Sequence, residues 1–175
     1  AERRSLLITD YEKRTTAYHE AGHAIVAAAI PEVDPVHKVT IIPRGRALGL
    51  TQLLPSEDHH SYSKKKLVAQ LAMIMGGRAA EHLVFNRFTT GASDDLKKAT
   101  EIARKMVCQW GMSEKLGPLT YSEERNAYLG RDMLQHKWFS NATVKMIDKE
   151  VRSLLKESYQ RAFSLLETNR QVLDY

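Results

Sequence analysis

Apolar and small residues recur at three- and four-residue intervals from Tyr11 to Ala29, the period of one helix face. Thr9 followed three residues later by Glu12 is a capping box for that helix, and Pro31 and Pro35 end it. Ala17, Ala21, Ala24, Ala27 and Ala28 give it a small-residue face that a second backbone can approach closely. The period then changes. Val36 to Ile42 alternates and is β-branched, which predicts a strand. Pro43-Arg44-Gly45-Arg46 predicts a turn and Gly49 to Leu54 a second strand, so a hairpin or small sheet forms there. Pro55 to Ser63 is a polar loop, and Ser63 caps a helix to about Phe85 with Leu67, Leu71, Ile74 and Met75 inward. Gly76-Gly77 lies inside it at a cost of roughly 1 kcal/mol per glycine, which a close contact with another helix or with a metal site explains, or else a kink. Ser93 caps a helix running from Asp94 to about Trp110, ended by Gly111. A short strand is predicted at Leu119-Thr120-Tyr121, and a long amphipathic helix from Ser140 to about Glu167. The fold class is mainly α-helical with a small β-sheet or hairpin.

Composition narrows the function classes. At 175 residues the chain is one domain, residues 1–175, able to bury its own core. A net charge of +5 invites a nucleic-acid reading. However, Lys64-Lys65-Lys66 is the only tight basic run and no aromatic–basic alternation offers a stacking surface, so no nucleic-acid partner is expected. The single cysteine, Cys108, excludes an internal disulfide and a cysteine-based zinc site, and reads as a buried core thiol. No run approaches 18 apolar residues. The start at Ala1 reads like an excised piece of a longer chain.

The chemistry centres on His19-Glu20-Ala21-Gly22-His23. Positions i and i+4 of a helix point about 40° apart, so two imidazoles can hold one zinc ion. Glu20 is rotated by about 100° from His19, beside the metal and not on it. There it can take a proton from the attacking water and pass it to the leaving amine. Catalytic zinc needs a third protein ligand and an open position. Glu81, Asp94 and Asp95 are the carboxylate contenders, and the residues alone divide Glu81 and Asp95 almost evenly. His37 is the next histidine but lies on the predicted strand beyond two prolines, and His59, His60, His82 and His136 are further candidates, each read as exposed.

Five ordered segments carry a specific resemblance: the histidine motif, Lys38-Val39-Thr40-Ile41-Ile42-Pro43-Arg44-Gly45, Gly76-Gly77-Arg78-Ala79-Ala80-Glu81, Thr89-Thr90-Gly91-Ala92-Ser93-Asp94-Asp95-Leu96 and Gly111-Met112-Ser113-Glu114-Lys115-Leu116-Gly117-Pro118. Together they resemble the peptidase domain of FtsH-type ATP-dependent zinc metalloproteases, from about residue 5 to residue 170. The resemblance implies Zn2+ as cofactor, His19, His23 and Asp95 as metal ligands, and Glu20 as the catalytic base. Glu81 is then left to support a ligand or to pack, and Asp94, which stands where the family commonly has Asn, to face solvent or cap the helix. It further implies a membrane-anchored homo-hexamer with this domain in the cytoplasm or an organelle interior. An ATP-driven module feeds unfolded protein substrates to such a domain. That module and the membrane segments are absent from these residues, which carry no phosphate-binding loop and are expected not to use ATP themselves.

An alternative of another class is a ring-forming interaction module with a structural metal. Glu20 separates the two, because a structural zinc has no need of a carboxylate beside its ligands.

Overall fold

The computed structural model describes residues 8–42, 48–54, 61–121 and 139–175. Helix α1 spans Asp10–Ala29 and opens with the predicted capping box, the Glu12 amide bonding to Thr9 Oγ1 and the Thr9 amide to Glu12 Oε2. Ile30 turns extended ahead of Pro31 and closes it. Strands β1 (Val36–Thr40) and β2 (Leu50–Leu53) pair antiparallel, Val39 opposite Thr51 and Thr40 opposite Leu50, with an irregularity between Val36 and Lys38. Among the described residues β2 pairs only with β1, so its other edge is free. The predicted turn at 43–46 and most of the polar loop lie outside the described residues.

Helix α2 (Lys64–Phe85) is capped by Ser63, whose hydroxyl accepts from the Lys66 amide, and ends at left-handed Asn86. It packs against α1, α3 (Ser93–Cys108) and α4 (Asn141–Thr168), and Leu71, Ala72, Ala79 and Ala80 are all fully buried. A helix covered on several sides must be lined by small or apolar residues, which accounts for its alanines and glycines.

The closest helix contact falls on glycine and not on the predicted alanine face. Gly22 of α1 meets Gly76 of α2 backbone to backbone, and a Cβ placed on Gly76 would stand 2.6 Å from the Gly22 carbonyl oxygen. Ala28 is exposed, whereas Gly22, Val26 and Ala27 are buried. The Gly76-Gly77 pair therefore lies inside a continuous helix as the point of close approach.

Three local expectations change. Ser93 does not cap α3 but is its first residue; a 3₁₀ turn, Thr90–Ala92, leads the chain in, with Thr89 Oγ1 accepting from the Gly91 amide. The helix stops at Cys108, two residues short of Trp110, and the chain reverses at Gly111 (φ 60°). No strand forms at Leu119–Tyr121, because that segment meets no strand and bonds back to the end of α3, Tyr121 N to the Cys108 carbonyl at 2.6 Å. Cys108 is half-buried, and burial raises its thiol pKa. The predicted long helix forms as α4, capped by Ser140, and a short helix, α5 (Arg170–Leu173), follows it and buries Leu173. No helix among the described residues is long and apolar enough to cross a membrane.

Replacing Gly76 with alanine tests the central contact. On an open helix the change stabilises by roughly 1 kcal/mol. Here the added methyl meets backbone that cannot rotate away, so a net loss of about 1–3 kcal/mol is expected. Urea unfolding measures it, and an unchanged or higher midpoint would show that the helices have room.

Candidate metal centre

His19 and His23 lie one turn apart on the buried face of α1, and their Nε2 atoms are 3.1 Å apart. Asp95, in the first turn of α3, places Oδ2 3.0 Å from His19 Nε2 and 3.1 Å from His23 Nε2. The three predicted metal-ligating residues thus meet around one point, although 76 positions separate the first from the last.

The far side of each ring fixes its tautomer. His23 Nδ1 lies 2.9 Å from the Met73 carbonyl, which can only accept, and 3.3 Å from the Gly77 amide, which can only donate; the shorter contact assigns the proton to Nδ1 and leaves the lone pair on Nε2. His19 Nδ1 lies 2.6 Å from Glu81 Oε1 and donates to it, so in the neutral ring the lone pair is on Nε2. Thr89 Oγ1 donates to the other oxygen of Glu81 at 2.7 Å. Glu81 therefore sits behind His19, apart from the converging atoms. Asp94, its neighbour's rival, is exposed at the mouth of the cleft. Among the remaining histidines, His37 is exposed on β1, and His82 is occupied with Tyr159 at 2.6 Å. His59, His60 and His136 lie outside the described residues.

Three acceptor atoms facing one another at 3.0–3.1 Å repel unless something positive lies between them. The electrostatics of the cluster reflect this. Burial works against a charged His19, yet the hydrogen bonds and charges of Asp95 and Glu81 outweigh it and raise its pKa to about 9. Burial likewise opposes ionisation of Asp95, and the two histidines override it, holding that carboxyl well below the usual range. Glu81 is pushed up by burial and pulled below its ordinary value by His19 and Thr89. The donor set suits zinc. Ligands about 2.0–2.1 Å from a tetrahedral zinc stand about 3.3–3.4 Å from one another, close to the spacing already present.

Glu20 is buried next to this cluster on the cleft side. Thr51 of β2 donates its hydroxyl to Glu20 Oε2 at 2.6 Å. The backbone at Gly49 lies against the same carboxylate, and a Cβ there would stand 2.6 Å from Glu20 Oε1. The cleft has a volume of about 560 Å³, and Tyr11, Thr16, Leu50, Ile74 and Lys98 line its walls beside these groups. The sequence carried no local signal for Thr51, Gly49 or Thr89, because each acts through tertiary contacts on residues at least eight positions away.

Comparison with known proteins agrees with the geometry. The model of Peptidase family M41 matches residues 6–175. The chain is 56% identical over 174 residues to the ATP-dependent zinc metalloprotease FtsH of Acidobacterium capsulatum, covering 99% of this chain and 27% of that protein. It is 55% identical over 172 residues to the protein of the same name from Magnetococcus marinus, covering 98% and 26%. FtsH 3 of Symbiobacterium thermophilum is 48% identical over 174 residues, covering 99% and 28%. The chain spans about a quarter of the length of these curated relatives.

The Glu81–His19 bond provides a test that needs no assay of turnover. Glu81→Gln removes the charge that makes His19 a stronger donor to a cation, and zinc affinity should fall by roughly 10–100-fold. Competition against a chromophoric chelator reads this directly. An unchanged affinity would leave Glu81 with a packing role only.

Proposed function

The chain belongs to peptidase family M41, a metallopeptidase family, and from that premise we propose that it is a zinc-dependent endopeptidase domain acting on unfolded polypeptide. The observation that carries this reading is the convergence of His19, His23 and Asp95 with a carboxylate, Glu20, fixed beside them and outside their cluster.

His19 Nε2, His23 Nε2 and an oxygen of Asp95 would hold the ion, with Met73 and Glu81 keeping both imidazoles in the required tautomer. Zinc bound there supplies Lewis-acid polarisation of a carbonyl and makes water a stronger acid near neutral pH. Glu20 takes the proton of the attacking water and returns it to the departing amine. Thr51 occupies one oxygen of Glu20, so the carboxylate cannot swing away and the other oxygen is kept for the proton. The free edge of β2 borders the same cleft, and extended substrate adds to such an edge through backbone hydrogen bonds, which bind with little sequence selectivity. Glu20 also argues against the alternative of an interaction module with a structural metal: a buried carboxylate positioned by a second element has no use in such a site.

In the intact protein we infer an ATP-driven unfolding module and membrane anchors outside these residues, a homo-hexameric ring, and this domain on the cytoplasmic or organelle-interior side. The names of the relatives, ATP-dependent zinc metalloproteases, support the first of these.

Glu20→Gln should keep one zinc per chain and lower casein cleavage by about 10²–10⁴-fold, whereas His19→Ala, His23→Ala and Asp95→Ala should each lose stoichiometric zinc. Metal analysis paired with cleavage, with and without chelator, decides this. Full activity of the Gln variant removes Glu20 from the mechanism, and stoichiometric zinc in any of the other three removes that ligand. Thr51→Val should lower kcat by about tenfold, one hydrogen bond's worth, at unchanged KM, and Thr51→Ser should restore it. A change confined to KM would place Thr51 in substrate binding instead.

A further inference from the structure

A second concavity, of about 550 Å³, lies between α2, α3 and α4, behind the helices that carry the metal centre. Its floor is apolar: Met75 and Val151 are buried, and Leu96 and Leu155 are half-buried. Its walls carry Arg78, Arg104, Arg152 and Lys156, four cations against one acid, Asp148. Elsewhere on the surface some of the lysines meet acids, as in Lys65–Glu32, Lys66–Asp34 and Lys115–Glu150. None of the four groove cations makes an ion pair with a described residue.

The inner end of the groove is already ordered. The Arg78 guanidinium lies 4.1 Å over the ring of Phe88, which holds it without neutralising it. Next to it, Tyr159 is tied to His82 at 2.6 Å. A planar, fixed guanidinium is the group best suited to a carboxylate. The apolar floor selects further. Free phosphate would touch only the cationic walls and leave the floor wet, whereas a polypeptide with alternating acidic and apolar side chains uses both.

We propose that this groove is a docking site for an acidic, apolar-containing polypeptide segment of a partner protein, held outside the catalytic cleft. Charge complementarity orients the segment and speeds its encounter, while the floor supplies contact area.

The test uses the whole 175-residue chain carrying Glu20→Gln, so that no peptide is cut, with and without chelator. The probe is a fluorescein-labelled decapeptide of glutamate and leucine, followed by anisotropy. Saturable binding is expected, unaffected by chelator, and weakened at least tenfold by Arg104→Glu with Arg152→Glu. Lys156→Glu serves as a second variant, and all three side chains are exposed, so folding is checked simply by unfolding midpoint. Raising salt from about 50 to about 300 mM should weaken binding several-fold through screening. Oligoglutamate of equal charge should bind at least fivefold more weakly. Absence of saturable binding, or equal affinity in the charge-reversed variants, overturns the proposal. So does equal affinity for oligoglutamate or displacement by millimolar phosphate, each of which would make the groove a simple anion site. Loss of binding with Lys98→Glu, in the catalytic cleft, would place the peptide there instead. None of these readouts depends on the peptidase reading.

Discussion

The contact on which the site depends is the backbone approach of Gly22 to Gly76. A side chain at either position would separate α1 from α2, and the space between them is where the chemistry sits. Gly77 makes the same point from the other side. A Cβ on it would lie 2.5 Å from His19 Cε1 and Nε2 and 2.6 Å from His23 Nε2, so bare helix backbone forms the wall along the Nε2 edges of both rings. Met73, Gly77 and Glu81 are four residues apart and share one face of α2. That single ridge bonds to His23, abuts both imidazoles and bonds to His19 in turn. The motif on α1 supplies the histidines, but α2 decides their tautomers and orientation. This is possible only because two glycines let the helices meet so closely. The propensity cost of Gly76-Gly77 is therefore offset by a wall that no larger residue can form.

The third acceptor is tied to the same helix. Thr89 caps the turn that delivers α3 and also donates to Glu81, so the element carrying Asp95 is anchored to the carboxylate behind His19. The two imidazoles are not equivalent. His19 has an anion behind it and His23 a neutral carbonyl, so His19 is the stronger electron donor of the pair. Glu20 belongs to another subsystem. Its carboxylate is held by β2, through Thr51 and the bare backbone at Gly49. The groups proposed to hold the ion and the proposed base are thus positioned by different elements.

What could be read from the sequence divides along the range of the interactions. Capping by Thr9 and Ser63 acts within three residues, and both predicted caps appear, whereas at Ser93 a 3₁₀ turn takes the place of the predicted cap. The spacing of His19 and His23 is equally local. Gly76-Gly77 announced a close contact, but its partner Gly22 was hidden inside the histidine motif, where the alanines drew attention. The residues alone left Glu81 and Asp95 undecided, because both are carboxylates on helices. Only the fold reveals that one faces Nδ1 and the other Nε2. Thr51 is one β-branched residue in a strand, and nothing in its surroundings marks it as the partner of Glu20. Leu119–Tyr121 failed as a strand for a related reason: local propensity is weak where no ladder awaits it.

Helices α2 and α3 also line the basic groove, together with α4, and their geometry explains how one framework serves two surfaces. Gly77 faces the imidazoles, and Arg78, one residue on and rotated by about 100°, lines the groove behind. On α3 the division repeats. Asp95 and Lys98 line the catalytic cleft, while Leu96, Thr100 and Arg104, four residues apart, line the groove. Neither helix can shift to suit one surface without moving the other. Packing this tight transmits displacement and does not absorb it, and the Gly22–Gly76 contact leaves α2 no slack.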